Sequence, residues 1–225
     1  MDAFVTGGTG YLGRPLIARL IERGHSVRAL SRAGSATRLP AGSHLVTGNA
    51  LESGTWAERV APADTFVHLI GTPRPNPSKA REFRDVDLAS IRAGIEAAVR
   101  GRVRHFIYVS VAHPAPVMKA YIEVRAEGEA MVRATGMNAT ILRPWYVLGP
   151  GHWWPYALLP IYAVLERLPS TADSAARLGL VTRAQMVAAL VRAVEEPPAG
   201  LKVVEVPEIR RARMSTNGAP VAPSG

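Results

Sequence analysis

The chain has 225 residues, 48% hydrophobic and 6% aromatic, enough for one sizeable core and a small appendage but not for two full domains. It contains no cysteine, which excludes disulfides and thiolate metal sites. The formal charge of +9 comes from basic residues scattered singly, nearly all arginine, and no dense basic run with interleaved aromatics points to a nucleic-acid partner.

Short β-branched runs alternate with longer segments of helical period, the pattern of a parallel sheet covered by helices. Asp2 to Thr6 reads as the first strand. Leu12, Leu16, Ile17, Leu20 and Ile21 give the next segment one apolar helical face, which Gly24 ends. His25 to Ser31, His44 to Thr47 and Thr65 to Ile70 follow as strands. The long segment Lys79 to Arg100 carries Phe83, Ile91, Ile95 and Val99 at helical spacing. His105 to Ser110 is a fifth strand, Met118 to Ala134 a helix and Asn138 to Leu142 a sixth strand. This order predicts an α/β fold, a doubly wound and mostly parallel sheet of the Rossmann type. Pro155 to Leu168 and Thr182 to Val194 read as helices, and Lys202 to Val206 as one more strand. Residues 1–209 are therefore expected to form a single domain, with 144–209 as a small C-terminal portion covering a substrate, and 210–225 a disordered tail. No run reaches the eighteen or so apolar residues of a membrane span, and the chain enters a strand at once without a cleavable leader, so a cytoplasmic setting is expected.

The strongest chemical signal lies between the first strand and the first helix, at Thr6-Gly7-Gly8-Thr9-Gly10-Tyr11-Leu12-Gly13. Gly7 permits a tight turn, Gly10 lets the backbone approach a pyrophosphate, and Gly13 lets the helix pack on the sheet. The phosphates would meet the helix N-terminus, with Thr9, Tyr11 and Leu12 completing the loop. NAD-specific folds usually carry a carboxylate at the end of the second strand, whereas here the run is Val27-Arg28-Ala29-Leu30-Ser31-Arg32. Arg32, with Ser31 donating a hydrogen bond and Arg14 as a second cation, suits a 2′-phosphate, so NADP(H) is favoured over NAD(H). The competing reading makes both arginines ordinary solvated surface residues. Asn49 and Ala50 after the third strand, and Leu69, Ile70 and Gly71 after the fourth, fit an adenine edge and a ribose, or are simply connecting loops.

Taken together, Thr6 to Gly13, His68 to Gly71, Tyr108-Val109-Ser110, Tyr121 with a cation four residues later, and Thr140 to Pro144 resemble an atypical short-chain dehydrogenase/reductase. The likeness is to NmrA-like NAD(P)H-binding proteins and the related complex I accessory subunit, over roughly residues 1–195. It implies a tyrosine that exchanges a proton with the substrate oxygen, a lysine one turn later that holds the nicotinamide ribose, and a serine or threonine that orients the substrate. These roles fall on Tyr121, Arg125 and Ser110, and Pro144 joins the cofactor residues. Spacing of i, i+4 puts Tyr121 and Arg125 on one helix face. Arginine supplies the fixed charge that favours a phenolate but cannot relay a proton. The family's hydroxyl usually falls about two residues beyond Ser110, where this chain has Ala112. The alternative makes Tyr121 a partly buried helix residue with Arg125 on the surface.

A Gly-x-Ser-x-Gly nucleophile elbow is absent, and the six histidines show no pair at metal-binding helical spacing, so no metal is expected. His113, just past the fifth strand, is a candidate pocket residue. Trp145, Tyr146, Trp153, Trp154 and Tyr156 gather after the sixth strand, where they wall a cleft for an apolar or quinone-like compound, contact a membrane or partner protein through residues 153–165, or cover the core. Two functions follow: an NADP-dependent oxidoreductase or epimerase-like enzyme acting on a small, fairly apolar carbonyl or quinone-like compound, or a non-catalytic NAD(P)H-binding sensor or assembly module.

Overall fold

The computed structural model describes residues 1–73, 75–115, 117–150 and 177–213. Its strands are β1 (Asp2–Thr6), β2 (Ser26–Ser31), β3 (His44–Thr47), β4 (Thr65–His68), β5 (His105–Val109), β6 (Asn138–Arg143), β7 (Tyr146–Leu148), β8 (Leu180–Thr182) and β9 (Leu201–Glu205). Seven of them form one sheet in the order β3-β2-β1-β4-β5-β6-β9, every pair parallel. β1, β4 and β5 are buried on both faces, which is why they read as continuous apolar runs rather than alternating ones.

The helices are α1 (Gly13–Glu22), α2 (Ala80–Glu82), α3 (Ala89–Arg100), α4 (Lys119–Ala134), α5 (Arg183–Glu195) and α6 (Val206–Arg211). α1, α5 and α6 pack on one face of the sheet through Leu16, Ile17, Leu20, Met186, Leu190 and Ile209, and α3 and α4 on the other through Ile91, Ala97, Val124 and Val132. Gly24, at φ +81°, ends α1 in a Schellman arrangement, with His25 N–H donating to Leu20 O at 3.0 Å and Gly24 N–H to Ile21 O at 2.9 Å. Glu195 of α5 then accepts two hydrogen bonds from Arg23 and one from His25, tying the far ends of this layer together. A reciprocal capping box between Thr182 and Gln185 starts α5.

Several boundaries differ from expectation. The segment expected as one helix from Lys79 contains a π-helical stretch, Phe83–Leu88, before α3. Beyond it, the expected apolar row drifts: Ile91 is buried, Ile95 half-buried and Val99 exposed. Each four-residue step overshoots a 3.6-residue turn by about 40°, so two steps carry Val99 off the buried face. The fourth strand ends at His68, two residues short of the expected Ile70. Arg210, expected to begin a tail, lies inside α6, and its Nε donates to Leu180 O at 2.9 Å. β7 and β8 form a separate two-stranded parallel sheet that sequence periodicity does not reveal, being three residues each and far apart in the chain. Residues 155–168 and 214–225 lie outside the described residues.

Two buried histidines make the fold acid-sensitive. His68, between Thr6 Oγ1 at 3.1 Å and Ser90 Oγ at 3.4 Å, is pushed down to a pKa of about 3 by burial and by Arg125. His105, against Thr140 Oγ1 at 2.9 Å, is pushed down to about 4 by burial. In the unfolded chain both titrate near 6.5, so between that pH and about 4 the unfolded state binds protons that the folded state refuses. Their stabilisation is complete above pH 6.5 and is lost as pH falls. At pH 5.5 each is expected to have cost about 1.4 kcal/mol, roughly 3 kcal/mol together. Urea midpoints between pH 7.5 and 5.5 at constant ionic strength check this, and a flat profile would show that water reaches both rings.

Candidate functional site

The turn off β1 is built from close backbone contacts. Gly7 has φ +74°, and a Cβ there would sit 3.0 Å from the Leu69 carbonyl group. Gly10 N–H donates to Gly7 O at 3.0 Å, and a Cβ on Gly13 would lie 2.2 Å from that same oxygen. Leu69 N–H donates to Thr6 O, and a Cβ on Gly7 would meet Leu69 and Ile70, so these two lie directly beside the glycine loop. Thr9 is half-buried and Gly10 exposed. α1 begins with no acidic residue in its first turn and no side-chain cap at Leu12, so no carboxylate of that turn opposes its positive end. A cradle that any Cβ would fill, set at a helix N-terminus, fits a pyrophosphate. Tyr11 reaches the other way: Arg183 of α5 lies over its ring at 5.3 Å, and a Cβ on Gly149 would fall 2.1 Å from its hydroxyl oxygen.

At the edge of the loop, Arg14 and Arg32 are exposed and have no ion-pair partner among the described residues. Arg38, which the sequence reading passed over, shares both properties and ends the 3₁₀ turn Ala33–Arg38, whose next residue, Leu39, lies against Gly8. Ser31, expected to donate to a phosphate, is buried and donates instead to Arg32 O at 3.1 Å. Asn49, expected at an adenine edge, closes its own turn: Oδ1 accepts from Leu51 N–H and Nδ2 donates to Glu52. Ala50 packs on the α3–α4 side of the core. Pro144 is buried, and its carbonyl accepts from Ala112 N–H at 3.0 Å, joining the ends of β5 and β6.

The alternative that put Arg125 on the surface is corrected by its burial at 5% exposure. Nη2 donates to Asp87 Oδ1 at 2.6 Å, and Nη1 to Val109 O at 3.0 Å and Ile70 O at 3.4 Å. Asp87 Oδ2 accepts from both the N–H and the hydroxyl of Thr72. The guanidinium is thus a strut joining the ends of β4 and β5 to the π-helical stretch, and Gly71 is glycine because a Cβ would stand 2.1 Å from Nη2. Burial opposes the Arg125 charge, but the Tyr121 and Tyr108 phenols and Asp87 outweigh it and keep the group protonated. Tyr121 is half-buried on the first turn of α4, its ring 5.0 Å from Phe83 and 5.2 Å from the guanidinium carbon. Its hydroxyl makes no hydrogen bond among the described residues. Ser110, the third expected catalytic residue, is buried beneath α4 next to Glu129. Ala112 is wholly buried in the core, so a hydroxyl there would face no cleft. Of the aromatic group, Trp145 is half-buried against the core and Tyr146 opens β7, while Trp153, Trp154 and Tyr156 lie outside the described residues.

Comparison with known proteins agrees with the fold and with NAD(P)H binding. A family of NAD(P)H-binding proteins matches residues 7–152. A ceramide reductase of Caulobacter vibrioides is 30% identical over 210 residues, covering 92% of this chain and 64% of that protein. The 4-hydroxy-2-methyl-3-oxo-4-farnesyl-3,4-dihydroquinoline-1-oxide ketoreductase of Stigmatella aurantiaca is 28% identical, covering 66% and 51% respectively. The chain thus spans about half to two thirds of these relatives' lengths. Among solved structures, MoeE5 in complex with UDP-glucose and NAD superposes with a TM-score of 0.68 at 22% identity, over 93% of this chain and 79% of that one. At that identity the likeness is one of fold. No helix among the described residues is long and apolar enough to cross a membrane.

Proposed function

Because the chain belongs to the NAD(P)H-binding family, as an atypical short-chain dehydrogenase/reductase, we propose that it is an NADP(H)-dependent oxidoreductase or epimerase-like enzyme acting on a small, fairly apolar carbonyl compound. The observation that carries the cofactor preference is the trio Arg14, Arg32 and Arg38, exposed around the glycine loop with no carboxylate paired to them among the described residues. The two reductase relatives act, by their names, on a ceramide and a farnesylated quinoline oxide, which supports an apolar carbonyl.

In this reading the amides of Tyr11 to Gly13 hold the pyrophosphate, and Arg32, with Arg14 and Arg38, reads the 2′-phosphate. When bound, NADPH supplies a hydride to the carbonyl carbon. Tyr121 donates its phenolic proton to the carbonyl oxygen. Arg125 does not hold the ribose, since both of its terminal nitrogens are committed to protein oxygens; it fixes a positive charge under the Tyr121 ring. That same commitment favours a second reading, an NAD(P)H-binding sensor or assembly module without turnover.

Calorimetric titration with NADPH and NADH, on the natural chain and on Arg32→Ala, tests the first part. NADPH is expected to bind more tightly, and the substitution to weaken it about tenfold, near 1.4 kcal/mol, with NADH unaffected. Tyr121→Phe is expected to abolish NADPH oxidation on a carbonyl panel while leaving NADPH affinity within about twofold. Binding without turnover across that panel would select the module reading.

A further inference from the structure

Between α1, the end of β7 and the start of α5 lies a groove of about 490 Å³, a size that suits a small organic ligand. Its walls are apolar and mostly small: Pro15 and Ala18 from α1, Leu148 and Pro150 around the end of β7, Ala184 and Val187 from α5. None of the residues assigned above to the cofactor lines it. At the rim Arg19 and Glu22 pair with each other at 2.6 Å, so their charges cancel. Among the described residues that leaves Arg183, the first residue of α5, as the uncompensated charge of the lining.

Arg183 is half-buried, and its guanidinium makes no hydrogen bond and no ion pair among the described residues; its carbon lies over the Tyr11 ring, 5.3 Å from the centre. Arg23, Arg125, Arg143 and Arg192, by contrast, each face a carboxylate. Stacking on a ring occupies the face of a guanidinium and leaves the N–H donors along its edge unused. Such a fork on the wall of an apolar groove matches a carboxylate carried on an apolar body, which arginine grips with two parallel hydrogen bonds. With Arg19 and Arg183 set against Glu22, a single negative charge balances the lining.

The same walls hold the glycine loop. Gly149 lines the groove, and a Cβ on it would fall 2.1 Å from the Tyr11 hydroxyl oxygen, while Arg183 covers the Tyr11 ring. A carboxylate on Arg183 therefore sets a negative charge beside the loop and neutralises a cation that also attracts the pyrophosphate, so the two anions oppose each other.

We propose that this groove is a second ligand site, which takes an apolar monocarboxylate on Arg183 and thereby weakens NADP(H) binding. The antagonism rests on the assignment of the pyrophosphate to the glycine loop; the carboxylate site does not.

Calorimetric titration of the full chain with octanoate and with 1-octanol, first without nucleotide, tests the site. Octanoate is expected to bind saturably and the uncharged alcohol at least about tenfold more weakly, and Arg183→Met to weaken octanoate by at least about tenfold while leaving the alcohol unaffected. Ala184→Glu adds a carboxylate to the groove at the favourable end of α5, so it is expected to abolish octanoate binding with no fall in Tm. With octanoate at saturation, NADPH is expected to bind about fivefold or more weakly, an effect absent in Arg183→Met. An absence of saturable binding, whether a segment of this chain or a second copy covers the groove, overturns the proposal. So does octanoate binding that survives both substitutions, octanol binding as tightly as octanoate, or an NADPH affinity that octanoate leaves unchanged. If NADPH does not bind while octanoate binds through Arg183, the cofactor reading falls and the carboxylate site stands.

Discussion

Replacing Asp87 with asparagine is expected to destabilise the fold by about 3–5 kcal/mol, because it leaves a buried guanidinium without its counter-charge. Asp87 is 1% exposed, and its carboxylate accepts three hydrogen bonds of 2.6–2.9 Å from Arg125 and Thr72. Arg125 has no other acid within reach among the described residues, and its Nε is already buried without a partner. In a chain of this length such a loss lowers Tm by roughly ten degrees or more. Removing both charges together, as Asp87→Asn with Arg125→Met, is expected to recover most of the stability, since the orphaned charge rather than the lost pair dominates the cost. Denaturation of the three variants measures this directly. A single-variant loss below about 1 kcal/mol would mean that water relieves Arg125, which the packing described above does not allow.

Gly13→Ala is expected to weaken NADPH binding by at least about a hundredfold while the chain stays folded. The added carbon would lie 2.2 Å from Gly7 O and 2.7 Å from Gly8 Cα, all backbone, so either the loop or the helix must move. Overpacking of this kind costs about 1–3 kcal/mol in stability, and the displaced amides no longer converge on the phosphates. Gly34→Ala is the matching control, with nothing within 4 Å of its added carbon. Calorimetry on the two variants decides the matter, and affinity within threefold of the natural chain for Gly13→Ala would show that the loop does not grip the pyrophosphate.

The glycine loop was legible because its constraints are local: a strand, a turn and a helix start, each dictated by neighbours a few residues away. Gly24 and Thr182 were readable as helix ends for the same reason. Arg125 was recognised as a position but its environment was not, because its partner Asp87 is 38 residues distant and turned inward by a π-helical stretch that leaves no mark on apolar spacing. Ala112 looked like a missing hydroxyl in the sequence, yet in the fold that position is core, and the accessible polar side chain is its neighbour His113. Ser31 and Asn49 have residue types suited to a ligand, and local backbone groups claimed their side chains first. Arg38 carried no motif, and only the fold of the turn over Gly8 brings it to the loop.

The order in which the sheet is assembled has a consequence for the nascent chain. β1 lies inside the sheet between β2 and β4, and β2 to β6 can pair as they leave the ribosome, but the layer over α1's face is completed by α5 and α6, and β9 closes the edge beside β6. Met186, Leu190, Val194, Val206 and Ile209 are thus translated long after their partners Leu16, Ile17 and Leu20. Throughout that interval an apolar wall of the half-built domain stands open to solvent, and a chaperone that shields it would be expected to engage the chain before α5 and α6 emerge.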